Sequence, residues 1–311
     1  MKTLLLYAVV VLIWGTTWFA IKLQLGTIPS QVSVAYRFAL AALLLFAWCW
    51  VRRLRVKFSL REHLWLMLQG LTVFSSNYVL FYESEKHLVS GSVAIVFSLL
   101  AVFNILNNWF FFKVKPTYQV ITGALLGLFG IALTFWHELL NLGSTSDNLL
   151  GIVLSVAATL VASLGNMVFV RLRKDGMPIV QGNAFGMLYG TVILLVYASA
   201  SGSKYSFDFS PGYIVSLFYL ALFGSVIAFG CYLTLVGRIG ADRAAYSSIL
   251  FPIVALGISA VFEGYRLNVF SALGIVFVLV GNALVLARKQ PGINRRGPNR
   301  ETTGRAEVIE A

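Results

Sequence analysis

Ten predominantly apolar runs of about 20 residues, each ended by a short polar break, constrain this 311-residue chain more than any motif does. A helix needs about that length to cross roughly 30 Å of hydrocarbon, whereas a spanning strand needs only about 9–11 residues. Only helices and closed barrels satisfy their backbone polar groups in lipid. The runs fall at 4–21, 32–51, 64–82, 91–111, 118–136, 149–169, 180–198, 212–233, 244–262 and 269–287. The expected fold class is an all-α membrane protein with ten transmembrane helices. Composition agrees, because 59% of the residues are hydrophobic and 12% charged, against about 25% charged in soluble domains. Folded in water, such a chain would expose large apolar patches. The first run follows Met1-Lys2-Thr3 and carries no Ala-x-Ala cleavage pattern, so it is expected to be a span and not a removed signal.

A net charge of +12 suggests nucleic acid in a soluble protein, but here the basic residues lie in the breaks between runs, and no nucleic-acid partner is expected. Their distribution orients the chain. With the N-terminus inside, Lys22, Lys86, Lys204 and Arg266 are the basic residues of the outer breaks and Arg37 lies within the second run. The remaining 19 of 24 Lys and Arg then collect inside, as cytoplasmic loops do. Miscounting one span would flip every later loop and scramble this asymmetry. Ten spans with both termini cytoplasmic, in a cell membrane of the bacterial inner-membrane type, are therefore expected. The polar stretch 289–311, rich in Gly, Pro and charge, reads as a disordered cytoplasmic tail near anionic lipid headgroups.

Sliding the chain against itself by 151 residues pairs Ala94 with Ala245, Gly123 with Gly274, Gly130 with Gly281 and Ala132 with Ala283, without a gap. The two glycine pairs are the informative ones, since Leu-on-Leu matches are common in any membrane protein. They divide the chain into a first five-helix repeat at 1–138 and a second at 147–288. Five is odd, so the second copy enters the membrane inverted, and halves related in this way can rock about a central site.

At this point the residues resemble the drug/metabolite transporter superfamily, in particular its EamA-type ten-span members. The likeness rests on Trp14-Gly15-Thr16-Thr17-Trp18 in the first run and Tyr36-Arg37-Phe38 in the second. Late in the chain it rests on Arg238-Ile239-Gly240-Ala241, Phe251-Pro252, Phe262-Glu263-Gly264-Tyr265-Arg266-Leu267, Gly274 and Gly281. It covers about residues 4–288. The first half departs from the pattern, with Ala101 where the second half has Pro252 and Phe112-Lys113 where an acid is expected. The resemblance implies export of amino acids, related metabolites or drugs.

Residues that could line a mid-membrane site are neutral. Trp14, Thr17 and Trp18 are expected to bind substrate from the first span, Tyr78 from the third, Asn104 and Asn108 from the fourth, Asn166 from the sixth, Phe229 and Tyr232 from the eighth and Ser248 from the ninth. Asn104, Asn107 and Asn108 share one helical face, so they either bond a neighbouring helix or line a cavity. Gly15 and Pro252 are expected to act as gate or hinge, Gly by close approach and Pro by freeing a carbonyl one turn earlier. Gly182, Gly186 and Gly190, like Gly123 and Gly127, read as helix-packing positions. Arg37 either snorkels to the outer interface or pairs with a neighbouring helix, or else meets substrate, and Glu83, Glu85 and Glu263 read as interfacial solvation or capping.

No carboxylate lies at mid-span, which disfavours multidrug cation antiport and leaves uniport, or coupling through a group at a gate. Cys49 and Cys231 both sit inside apolar runs, and His63, His87 and His137 are dispersed, so neither a disulfide nor a metal or cofactor is expected. No phosphate-binding Gly-x-x-x-x-Gly-Lys-Ser/Thr motif is present to couple nucleotide hydrolysis. The expected function is a non-enzymatic secondary transporter, an exporter of a small amphipathic or zwitterionic metabolite working by alternating access. A membrane enzyme or flippase acting on a lipid-linked substrate is the alternative. The substrate and membrane lipid are the expected partners, with monomer and homodimer both open.

Overall fold

The structure, a computed structural model, describes residues 2–113, 115–136, 146–239 and 247–286. Among these, every regular element is helical: α1 (Lys2–Lys22), α2 (Ser30–Val51), α3 (Leu60–Ser84), α4 (Ser90–Phe112), α5 (Tyr118–Thr134), α6 (Ser146–Lys174), α7 (Ile179–Ala200), α8 (211–239), α9 (Ser247–Phe262) and α10 (Val269–Leu286). The tail 289–311 lies outside the described residues.

Local chemistry sets the helix starts. Ser59 and Glu62 form a reciprocal capping box ahead of α3, with Ser59 N donating to Glu62 Oε2 at 2.6 Å and Glu62 N to Ser59 Oγ at 3.3 Å. Pro29 and Pro178 precede α2 and α7, where a missing N–H costs nothing. Ser210 accepts from Tyr213 N at 3.3 Å and Pro211 opens α8.

Seven helices are long and apolar enough to cross a bilayer, and Tyr118–Thr134, Leu250–Phe262 and Val269–Val285 are shorter apolar segments. Their surfaces invert the usual soluble pattern. Leu43, Leu125, Phe129, Val196, Val215 and Val276 are exposed, while Ser33, Asn77, Ser155, Thr159, Asn183 and Ser225 are buried. Apolar outside and hydrogen-bonding inside is what a lipid solvent selects, so the chain is a helical membrane protein.

The helices pack in a pattern that maps onto itself. The 151-residue shift carries α1 to α6, α2 to α7, α3 to α8, α4 to α9 and α5 to α10. The packing of α1 on α8 and α9 has its counterpart in α6 on α3 and α4, and that of α2 on α8 in α7 on α3. Helices α2 and α7 pack on each other, as do α5 and α10. The last pair is the closest. A Cβ on Gly123 would lie 2.6 Å from the Gly281 carbonyl oxygen, and one on Gly130 would lie 2.5 Å from that of Gly274. The two glycine pairs found by the 151-residue shift therefore meet crosswise, each residue facing the partner of the other. Gly127 differs, since a Cβ there would meet nothing within 4 Å. Between α3 and α7, a Cβ on Gly190 would lie 2.7 Å from the Phe74 carbonyl oxygen, and one on Gly186 would lie 2.9 Å from the Phe74 ring.

Hydrogen bonds gather one end of the bundle. Lys22 Nζ donates to the Glu85 carbonyl at 2.5 Å, Ser84 Oγ to that of Gly151 at 2.8 Å, and Gln31 Nε2 to Ser203 Oγ at 2.6 Å. These bonds join the end of α1, the α3–α4 link and the start of α6, and also the start of α2 and the end of α7. This face is called the Lys22 end below.

Candidate functional site

Two helices leave regular α geometry at related places. In α3 the segment Thr72–Ser76 is π-helical, and in α8 so is Tyr219–Ile227, whose later part is the 151-residue counterpart of the former. Short π segments loosen the backbone ladder and recur at functional sites. Here the looseness is used by side chains. Ser225 Oγ donates to the Leu220 carbonyl at 2.9 Å, and Trp14 Nε1 reaches across from α1 to the Gly224 carbonyl at 3.1 Å. The other pair of counterparts is also interrupted: α4 has a tight turn at 98–99, and α9 contains Pro252.

Trp14 is the centre of an aromatic cluster that joins α1, α8 and α9. Its ring lies 5.2 Å from Phe229, 5.2 Å from Tyr232 and 5.5 Å from Phe251. Three of the residues expected to bind substrate thus converge, together with Phe251, which was not on that list. Thr17 donates to the Trp14 carbonyl at 2.7 Å, and its methyl group closes on Gly224, where a Cβ would lie 3.0 Å away. Gly15 is held against α9, since a Cβ there would lie 2.6 Å from Val254 Cβ. Pro252 lies two residues earlier on the same helix. Ser248 is on α9, but its side chain lies outside those described.

The amides form a second group. Asn104 Oδ1 on α4 accepts from Ser163 Oγ at 2.9 Å and from Asn166 Nδ2 at 3.2 Å on α6, and Asn107 Nδ2 donates to Ser163 Oγ at 2.8 Å. Asn108 instead donates to the Asn104 carbonyl of its own helix at 2.9 Å. Asn104 and Asn107 of this face thus bond to the neighbouring helix α6.

Trp18 and Tyr78 belong to a third region, toward the Lys22 end. Trp18 is buried, 5.2 Å from both Phe81 and Phe97. Tyr78 lies under Arg37, whose guanidinium carbon is 4.6 Å from its ring centroid and 5.2 Å from that of Phe38. Arg37 does not snorkel: it is 2% exposed, Nε donates to Ser225 Oγ on the α8 π segment at 3.4 Å, and Nη1 has no hydrogen-bond partner. Packing of α2 against α8 seals the route to the interface that the sequence position left open.

Close by, sequence reasoning missed a buried carboxyl. Glu85, just after α3, is 0% exposed, and neither of its carboxyl oxygens has a hydrogen-bond partner. Gln24 is buried too, accepting from the Tyr82 hydroxyl at 2.6 Å and leaving Nε2 unpaired. Burial pushes the Glu85 carboxyl well above the usual carboxylate range, opposed by the attraction of Lys22 and Arg37 and aided by repulsion from Glu263. Glu263, at the end of α9, is fully engaged. Its carboxyl accepts from Ser90 N at 3.2 Å, from Ser90 Oγ at 2.5 Å and from Ser259 Oγ at 2.5 Å, while Gly91 N donates to Ser259 Oγ at 2.8 Å. This contact locks the start of α4, in the first half, to the end of α9, in the second. Nothing in the linear sequence distinguishes these two glutamates from interfacial ones, because the burial of Glu85 and the hydrogen bonds of Glu263 are made by segments far away in the chain.

The comparisons with known proteins agree with this architecture. The chain is 28% identical over 301 residues to Protein PagO of Salmonella typhimurium, covering 94% of this chain and 95% of that one. It is 28% identical over 282 residues to a probable amino-acid metabolite efflux pump of Escherichia coli, covering 88% and 90%. It is 26% identical over 273 residues to the inner membrane transporter YedA of Escherichia coli, covering 86% of each. A solved crystal structure shares the fold, with a TM-score of 0.65 at 14% identity, covering 93% of this chain and 99% of the other. The model of the EamA-like transporter family matches residues 1–136 and again 149–287. With its helical membrane architecture and a match that runs over both halves, the chain belongs to the EamA-like transporter family.

Proposed function

We propose that the chain is a secondary transporter that exports a small amphipathic or zwitterionic metabolite, without chemical change, by alternating access between two inverted five-helix halves. The observation that carries this reading is the crosswise meeting of Gly123 with Gly281 and of Gly130 with Gly274. A contact that reproduces itself when the halves are exchanged is what a two-fold axis produces. An odd number of spans per half puts that axis in the membrane plane. On this reading all ten helices span the membrane, both termini are cytoplasmic and the Lys22 end faces outward. The α4–α9 contact through Glu263 then closes the outer side. Between the closed end and the cytoplasm lie the Trp14 aromatic cluster and the amide face of α4 and α6, whose neutral and aromatic groups suit a ligand held by stacking and uncharged hydrogen bonds. The name of the Escherichia coli efflux relative supports the amino-acid class.

The test is a flux screen in proteoliposomes over amino acids, nucleobases, polyamines and cationic dyes, with and without a pH gradient. Saturable flux of at least one amino-acid or related zwitterion is expected, and it falls when Trp14 is replaced by Ala. No flux for any class from a folded protein contradicts the reading.

A further inference from the structure

Glu85 has no part in the substrate path proposed above, yet it lies near groups of α1, α2 and the end of α9 at the closed end. Lys22 clamps its backbone through the carbonyls of Glu85 at 2.5 Å and Leu88 at 3.1 Å, which pins the link to α1. Its side chain points into the protein with both oxygens unpaired. Five residues later Ser90 donates to Glu263, so the link that carries Glu85 leads directly into the α4–α9 latch. The charged and titratable groups acting on Glu85 are Lys22 at the end of α1, Arg37 on α2, Glu263 at the end of α9 and Tyr82 on its own helix. Along the link, His87 lies 3.8 Å from Asp147 of α6, and Lys86 pairs with Glu83.

We infer that Glu85 is a proton-binding site of the outer gate, and that closing the gate takes up one proton from the outer medium at this carboxyl. The inference rests on the transport reading and adds to it a ligand and its site. An ionised carboxylate sealed from water without a hydrogen bond is costly, more than the attraction of Lys22 and Arg37 returns, whereas the neutral acid is tolerated there. When the link parts from α1 and α9, water reaches the carboxyl and it returns to the ordinary carboxylate range. The closed form thus holds the higher affinity for the proton. Closure is favoured at low outer pH and weakens as pH rises through the interval between the open-form and closed-form values. Because the proton comes from the outer medium and returns to it, none crosses the membrane. Outer pH sets how readily the gate opens, while a pH gradient does no work on the substrate.

The experiment uses the full chain with Cys49→Ala and Cys231→Ala. Ala94→Cys reports from α4 one turn below the latch, where the native residue is 1% exposed, and Lys204→Cys, at an exposed position, is a separate reference. Labelling of intact cells with an impermeant thiol reagent is read as the ratio of reporter to reference. In the parent the ratio rises with outer pH, by up to about tenfold per unit, the limit for one linked proton. In Glu85→Gln, a neutral mimic of the protonated acid, the ratio is low and flat. In Glu263→Gln it is higher at every pH and keeps the parent slope. A flat parent profile overturns the proposal, as does an unchanged slope in Glu85→Gln or a slope lost only in Glu263→Gln. If Glu85→Gln fails to reach the membrane, the parent and Glu263→Gln profiles decide. Flux measured on the same proteins separates the two readings: retained flux with an unchanged slope in Glu85→Gln sinks the gate site alone, whereas absent flux in the parent sinks the transport reading.

Discussion

At the scale of single residues, Arg37 separates function from stability. It is buried against Tyr78, Phe38 and Ser225, it has an unpaired nitrogen, and no carboxylate is hydrogen-bonded to it. Burying a charge without an ion-pair partner carries a desolvation cost that an apolar residue of similar volume does not incur. Arg37→Met is therefore expected to leave the thermal midpoint in detergent unchanged or raised while flux falls. A lower midpoint would make Arg37 a structural residue. The sequence exposes Arg37 as the ionisable group inside an apolar run, and so marks it as unusual. Whether it reaches the interface depends on which helices lie over it, and that is decided by residues nearly 190 positions away. Glu85 is harder to read still, because a glutamate one residue past a span looks like any other interfacial acid until α1 folds over it.

At the scale of elements, close backbone approach holds α5 to α10. A Cβ on Gly130 would meet the Gly274 carbonyl oxygen and, at 2.7 Å, Val278 N, and neither backbone atom can step aside as a side chain does. Overpacking of this kind costs typically 1–3 kcal/mol, roughly, so Gly130→Val is expected to lower the thermal midpoint clearly or to abolish folding. Gly127→Ala on the same helix adds a methyl where nothing lies within 4 Å, and removal of a mid-helix glycine is worth roughly 0.5–1 kcal/mol. It is expected to be neutral or mildly stabilising. Equal effects of the two substitutions would contradict the packing described. The helices themselves are legible from run length. The π segment of α3 is not, since Thr72–Ser76 contains neither Gly nor Pro; it packs against α6 and α7. The asparagine face of α4 is legible as a face that must find partners, but only the position of Ser163 selects inter-helix bonding.

At the scale of the whole molecule, the proposed transport needs two halves that are inverted copies and whose motion about a shared axis exposes one site to each side in turn. The repeat is readable in sequence only through a few small residues, because lipid-facing positions accept any apolar side chain and so lose their likeness. Glycines at a crossing persist as a signal because no other residue fits there. Latch and cluster sit off the pattern: Glu263 pairs with Ser90 at the Lys22 end, and the counterpart contact at the other end would involve residues outside those described. The inversion makes one demand that no parallel duplication would meet. Lys115 and Arg266 are separated by 151 residues and occupy equivalent places ahead of α5 and α10, so they must lie on opposite faces of the membrane. Lys115→Cys and Arg266→Cys, each as the sole cysteine, are labelled with an impermeant reagent in intact cells and in inverted vesicles. Labelling of Arg266→Cys only in cells and of Lys115→Cys only in inverted vesicles is the expected result, and labelling of both from the same side would contradict the inverted arrangement.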